Sequence, residues 1–177
     1  MNLSNNFTLS EATKSDTALR LGIDNSPPVS MHLGLINVAV TLLQPVREYF
    51  NVGFVPSSWF RCEALEKAIN WGGRSDSAFG RWCGRHGHPT DDESWDIYFA
   101  KKQHPTGQAV DFEVPGVANL ALALWIESNL NFDQLILEFY SPDNPRAGWV
   151  HASTRLDGNN RRQTLTITRT GTRAGLG

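Results

Sequence analysis

Gln103-His104-Pro105-Thr106-Gly107-Gln108-Ala109-Val110-Asp111-Phe112 changes character midway. Pro105 and Gly107 stop a helix and favour a turn. Gln108 to Val114 then reads as a strand, with Ala109, Asp111 and Glu113 on one face by the period of two. The spacing is too long for one helical turn, so the turn must fold His104 back toward Asp111. A carboxylate on the face of an apolar strand is costly to bury unless it is paired or bound to metal. Further along, Gly148-Trp149-Val150-His151 sets a second imidazole in another strand-like run. His104, Asp111 and His151 are thus a candidate zinc set. Three protein ligands with a fourth place left to water mark a catalytic rather than a structural zinc site, and water held there ionises near pH about 7. The plain alternative is a satisfied polar core carboxylate with a loop histidine, since isolated matches of this kind arise by accident.

Outward from that stretch the pattern is α+β, an antiparallel sheet packed against helices. Thr8 or Ser10 is placed to cap a first helix through about Leu21, with Glu11 completing a capping box on Thr8. A second helix is expected from Ser30 to Phe50, burying Leu35, Val38, Leu42, Leu43 and Val46, with Pro45 kinking or restarting it. Phe54 to Phe60 reads as a strand, Glu63 to Trp71 as a helix, and 72–102 as mixed loop with one short helix around Ser75 to Trp82. After Pro115-Gly116, Val117 to Asn129 reads as an apolar helix. Gln134 to Tyr140 and Trp149 to Thr154 form a hairpin through Pro142-Asp143-Asn144-Pro145, and Gln163 to Thr170 is a last strand. The segment 171–177 is expected to fray.

The hairpin bears on chemistry. Symmetry about the Asn144–Pro145 bond sets Glu138 opposite His151, where side chains on one face lie about 5 Å apart at Cβ. A carboxylate there suits a general base or a partner that orients the ligand; the plain alternative is a surface polar pair. Asp143 is the substitute if the register slips.

His104-x-x-Gly107-x-Ala109-x-Asp111, preceded by Ser58-Trp59-Phe60-Arg61 and followed by Trp149-Val150-His151, resembles the zinc D-alanyl-D-alanine carboxypeptidase family. Members of that family, related phage endolysins among them, cut peptidoglycan stem peptides. The likeness is closest to the family's compact C-terminal peptidase domain. It spans about Phe7 to Thr154 and includes Phe7-Thr8-Leu9-Ser10-Glu11 and Asp133-Gln134-Leu135-Ile136-Leu137-Glu138. It implies one Hedgehog/DD-peptidase-like domain over 1–170 and Zn2+ on His104, Asp111 and His151. It also implies Arg61 as the residue that binds substrate and steadies the oxyanion. A fixed cation near a scissile carbonyl favours the developing charge, and a guanidinium suits a terminal carboxylate. Ser57 and Ser58 are placed to contact substrate or to cap the following helix. Two departures stand out. The segment 72–102 is an insertion where the family has a short turn, and Gly148 occupies a place where some relatives carry a glutamate.

Composition sets limits on this reading. A chain of 177 residues is one domain by length and long enough for a real core. A net charge of −2 and pI near 6.2 give no electrostatic footprint for nucleic acid. Cys62 and Cys83 are too few for a disulfide framework and are expected as free thiols. Neither a signal peptide nor a transmembrane segment is expected. Cys83, His86, His88 and Asp91 or Asp92 form a rival metal cluster whose spacing fits no usual zinc motif. Trp71, Trp82 and Trp95 suit core packing better than a sugar-stacking surface. The expected function is therefore a zinc peptidase acting on peptidoglycan peptides, as an endolysin or virion-associated hydrolase. The competing class is a non-catalytic wall-binding or virion structural protein, which glycine at position 148 keeps open.

Overall fold

In the computed structural model, which describes residues 1–74 and 76–177, five strands share one sheet. They are Ala109–Phe112 (β1), Gln134–Glu138 (β2), Trp149–Ser153 (β3), Gln163–Thr168 (β4) and Gly171–Ala174 (β5), in the order β1-β3-β2-β4-β5. The sheet is mixed rather than antiparallel throughout. After β3 the chain reverses, steps across β2 and lays β4 parallel to it. β5 is a correction to the expected fraying. Residues 171–174 pair antiparallel with β4, and Gly175 N donates to the Thr164 carbonyl at 3.0 Å.

The two sheet faces differ as alternation requires. Val110, Phe112, Leu135, Leu137, Val150 and Ala152 lie on one face, all fully buried. They share a core with a long helix, Val29–Phe50 (α3), and with Asn119–Asn129 (α7). Asp111, His151, Ile136 and Glu138 occupy the opposite face. In α3, Leu35, Val38, Leu42, Leu43 and Val46 are all buried, as the apolar spacing predicts. Pro45 neither breaks nor sharply restarts it. A π turn over Ala39–Leu43 precedes the proline, a widening that accommodates the missing N–H and the ring's pressure on the preceding turn. By length and mean hydropathy (1.5) α3 is able to cross a membrane, which the sequence reading did not anticipate; here its apolar face is spent on the core.

Three local expectations need correcting. The first helix is two, Leu9–Thr13 (α1) and Asp16–Leu21 (α2). The Thr8–Glu11 capping box forms, but Ser15 caps Ala18 N at 3.2 Å and starts a new helix instead of continuing the old one. Phe54 to Phe60 is not a strand. It is extended chain with one bridge, Ser58 to Asp111, and Pro56 removes a ladder donor. After Glu63–Asn70 (α4), the insertion holds two helices, Ala78–His86 (α5) and Asp92–Phe99 (α6), capped by Ser77 and Asp91. The expected start of a helix at Ser75 lies outside the described residues. Phe79, Trp82, Cys83, Trp95 and Tyr98 give the insertion its own buried cluster, with Trp71 stacked on Trp95 at 5.9 Å. The tryptophans here are packing residues.

Candidate metal centre

Strand pairing brings two of the expected ligands together, because Asp111 on β1 lies directly opposite His151 on β3. His104 arrives from a 3-10 turn, His104–Thr106, closed by Gly107 in the left-handed region. That turn is pressed against α3. A Cβ at Gly34 would come within 2.6 Å of the Thr106 carbonyl oxygen, so only glycine lets the helix seat the turn. His151 Nδ1 is 2.8 Å from Asp111 Oδ1, and His104 Nε2 is 3.3 Å from Asp111 Oδ2. All three side chains are buried, and one ligand atom from each lies within 4.8 Å of the others. Burial alone would raise the Asp111 carboxyl. The charges and hydrogen bonds of His104 and then His151 outweigh it and hold the group well below the usual carboxylate range.

The far side of each imidazole is also engaged. His104 Nδ1 lies 2.6 Å from the Trp59 carbonyl oxygen, and His151 Nε2 lies 3.3 Å from Gln103 Oε1. Both partners only accept, so both far nitrogens carry hydrogen. The nitrogens turned to Asp111, His104 Nε2 and His151 Nδ1, hydrogen-bond its carboxylate, and a metal ion would take the place of those hydrogens. Two imidazole nitrogens and a carboxylate oxygen, so oriented, are a donor set that fits zinc.

Arg61 adjoins this group. Its Nη2 donates to Asp111 Oδ2 at 2.7 Å and its Nε to Ser58 Oγ at 2.7 Å; Nη1 is 3.5 Å from Glu66 Oε2. Ser58 therefore holds Arg61 rather than capping α4, whose N-cap residue is Cys62 with no side-chain cap. Glu66 is almost wholly buried, and its Oε2 accepts no hydrogen bond. Sequence reading missed Glu66 and Lys102. The only hint was the adjacency of Lys102 and Gln103 to His104, and of Glu66 to Arg61 one helical turn on. Lys102 stands 3.9 Å from Glu66 Oε1 and over the Tyr98 ring, and burial lowers its ammonium.

Glu138 needs a correction of register but not of face. Its cross-strand partner is Trp149, and His151 pairs with Ile136. The hairpin closes tightly between Ser141 and Asn144 and places its extra residues on the return arm, so it is not symmetric about the Asn144–Pro145 bond. A slip of two residues leaves Glu138 on the same face as His151. Both line a cleft of about 670 Å³ together with Arg61, His104, Asp111 and Lys102. Burial raises the Glu138 carboxyl, Asp111 raises it further, and His151, Arg61 and Lys102 pull it back. Asp143 is exposed in the turn and is not among the residues lining this cleft.

Gly148 explains the departure at its position. It sits at φ 72°, against the Glu138 carbonyl, where a side chain would collide with backbone. Asn119 Nδ2 latches this bend by donating to the Gly148 carbonyl at 3.0 Å. Gly148→Ala should therefore lose more stability than the about 1–3 kcal/mol of a strained left-handed residue alone, because the backbone must also shift to relieve the collision. Chemical denaturation measures it, and an unchanged midpoint and slope would show that the bend tolerates a side chain.

The rival cluster does not assemble as ligands. Cys83 is buried, and burial and Asp91 push its thiol up. His86 and His88 stack on Trp82, each with ring centroids 4.9 Å away. Asp91 caps α6 and Asp92 pairs with Lys67. No protein-family model matches the chain, and no curated protein matches it.

Proposed function

We propose that the chain is a zinc-dependent peptidase hydrolysing peptidoglycan stem-peptide bonds, of the D-alanyl-D-alanine carboxypeptidase or endopeptidase type, on a Hedgehog/DD-peptidase-like fold. The observation that carries this reading is the convergence of His104 Nε2, Asp111 and His151 Nδ1 in one cleft beside Arg61 and Glu138. Bound zinc would supply Lewis acidity toward a water and the scissile carbonyl. Glu138, raised by burial and facing the same cleft, takes the proton of the attacking water and returns it to the leaving amine. Arg61 offers its guanidinium to the carbonyl oxygen as charge develops, or to the peptide's terminal carboxylate. When Asp111 is engaged by metal, the free oxygen of Glu66 is the neighbouring anion that keeps Arg61 at the cleft wall. Ser58 steadies the same guanidinium from the other side. A phage endolysin or virion-associated hydrolase enters this reading through the family the sequence resembles.

Purified sacculi treated with zinc-loaded protein should release muropeptides bearing new amino and carboxyl termini, and mass spectrometry of the products identifies the bond. Zinc bound without new termini would favour the wall-binding or virion structural role.

A further inference from the structure

Gln103 lies between the candidate ligands and an ion pair of buried Asp133 with exposed Arg161, remote from the cleft chemistry. We infer that Gln103, locked by Asp133 and Arg161, is a positioning residue that decides which nitrogen of His151 is free to bind metal. This inference rests on the metallopeptidase reading above.

Asp133 precedes β2 and is 1% exposed. Its carboxylate accepts from Arg161 Nε at 2.8 Å, Arg161 Nη2 at 2.5 Å and the Arg161 backbone N–H at 3.1 Å. A carboxylate paired in this way only accepts. Its remaining contact, Oδ2 with Gln103 Nε2 at 2.9 Å, must therefore be filled by the amide nitrogen. The two ends of a glutamine amide have nearly the same shape, so only the partners decide which way it points. With nitrogen committed to Asp133, Oε1 is turned to His151 Nε2 at 3.3 Å. An amide oxygen cannot donate, so Nε2 keeps its hydrogen on Gln103, and Nδ1, on the Asp111 side, is the ring nitrogen left for a metal to take. At His104 the Trp59 main-chain carbonyl does the same work and no substitution can remove it. At His151 the work falls to a half-buried side chain, on a residue whose main-chain carbonyl accepts from Thr106 Oγ1 at 2.7 Å. The residue next to one candidate ligand in sequence thus orients the other, through a partner just before β2.

The test compares Gln103→Met with the double variant Gln103→Glu/Asp133→Asn, by chelator competition for zinc. Methionine fills the space without an acceptor and should weaken zinc by about 10–100-fold, the range for loss of a partner that orients a metal ligand. In the double variant the amide at position 133 donates where the amide at position 103 did, and glutamate at 103 still accepts from His151, so most of that loss should be recovered. Methionine also removes the hydrogen bond to Asp133 and should lower the melting temperature, so recovery of zinc affinity in the double variant is the readout that separates positioning from a merely structural role. Zinc held as tightly by Gln103→Met as by wild type overturns this inference alone, and so do equal losses in both variants. Wild-type protein that binds no zinc overturns it together with the metallopeptidase reading.

Discussion

His104→Ala and His151→Ala are each expected to lose zinc and hydrolysis together. Each ring supplies one of three protein donors, and each donor atom is already aimed by a partner on the far side of its ring. Removing the partner alone would weaken zinc by about 10–100-fold, so removing the donor itself should exceed that and leave no stoichiometric metal after dialysis. Hydrolysis should fall to background with it, and excess zinc should not restore the wild-type rate. His86→Ala and His88→Ala provide the contrast. Their rings stack on Trp82 within the insertion, and zinc stoichiometry should stay at the wild-type value. Full zinc occupancy in the His104 or His151 variant would remove that residue from the site. Two zinc ions per wild-type chain would make the insertion a second centre.

The grouping of His104, Asp111 and His151 was legible because its signals stand out in their own segments. Pro105 and Gly107 announce the turn, Asp111 stands out on an apolar strand, and His151 repeats the pattern in another. The α+β composition and the buried face of α3 followed from periodicity in the same way. What escaped depended on contacts between distant segments. The parallel pairing of β4 with β2 comes from a crossing connection that alternation within either strand cannot reveal. The insertion read as loop because its buried residues are aromatics in short helices, and two caps, Ser77 and Asp91, lie among many polar residues that cap nothing. Gln103 adjoins His104 in sequence, yet the orientation of its amide requires Asp133 and Arg161, which no spacing rule connects to it. The hairpin failed in a more instructive manner. Its register was wrong by two residues, an even slip, so the inference that Glu138 shares a face with His151 survived while the inference of direct opposition did not.

That difference sharpens what Glu138→Gln should do. Both nitrogens of His151 are taken, Nδ1 by Asp111 and Nε2 by Gln103, so Glu138 is not the group that orients this ligand. Zinc affinity in Glu138→Gln should match wild type, whereas the rate should fall roughly 10²–10⁴-fold, the scale of a lost general base. The pH profile gives a second readout. Burial and the nearby Asp111 raise the Glu138 carboxyl, so wild-type activity should decline as pH falls through a value above that of an exposed glutamate. An amide cannot titrate, and the residual rate of the variant should lose that acidic limb. Stability supplies the control. A carboxyl raised on folding binds its proton more tightly in the folded protein than in the unfolded chain, so once ionised it disfavours folding. Glu138→Gln should therefore unfold at neutral pH no more easily than wild type, and a slow enzyme cannot be put down to a damaged fold. A variant that keeps wild-type turnover removes Glu138 from the chemistry. A variant that recovers turnover only with added zinc gives it the orienting role inferred above for Gln103 from its contact with His151.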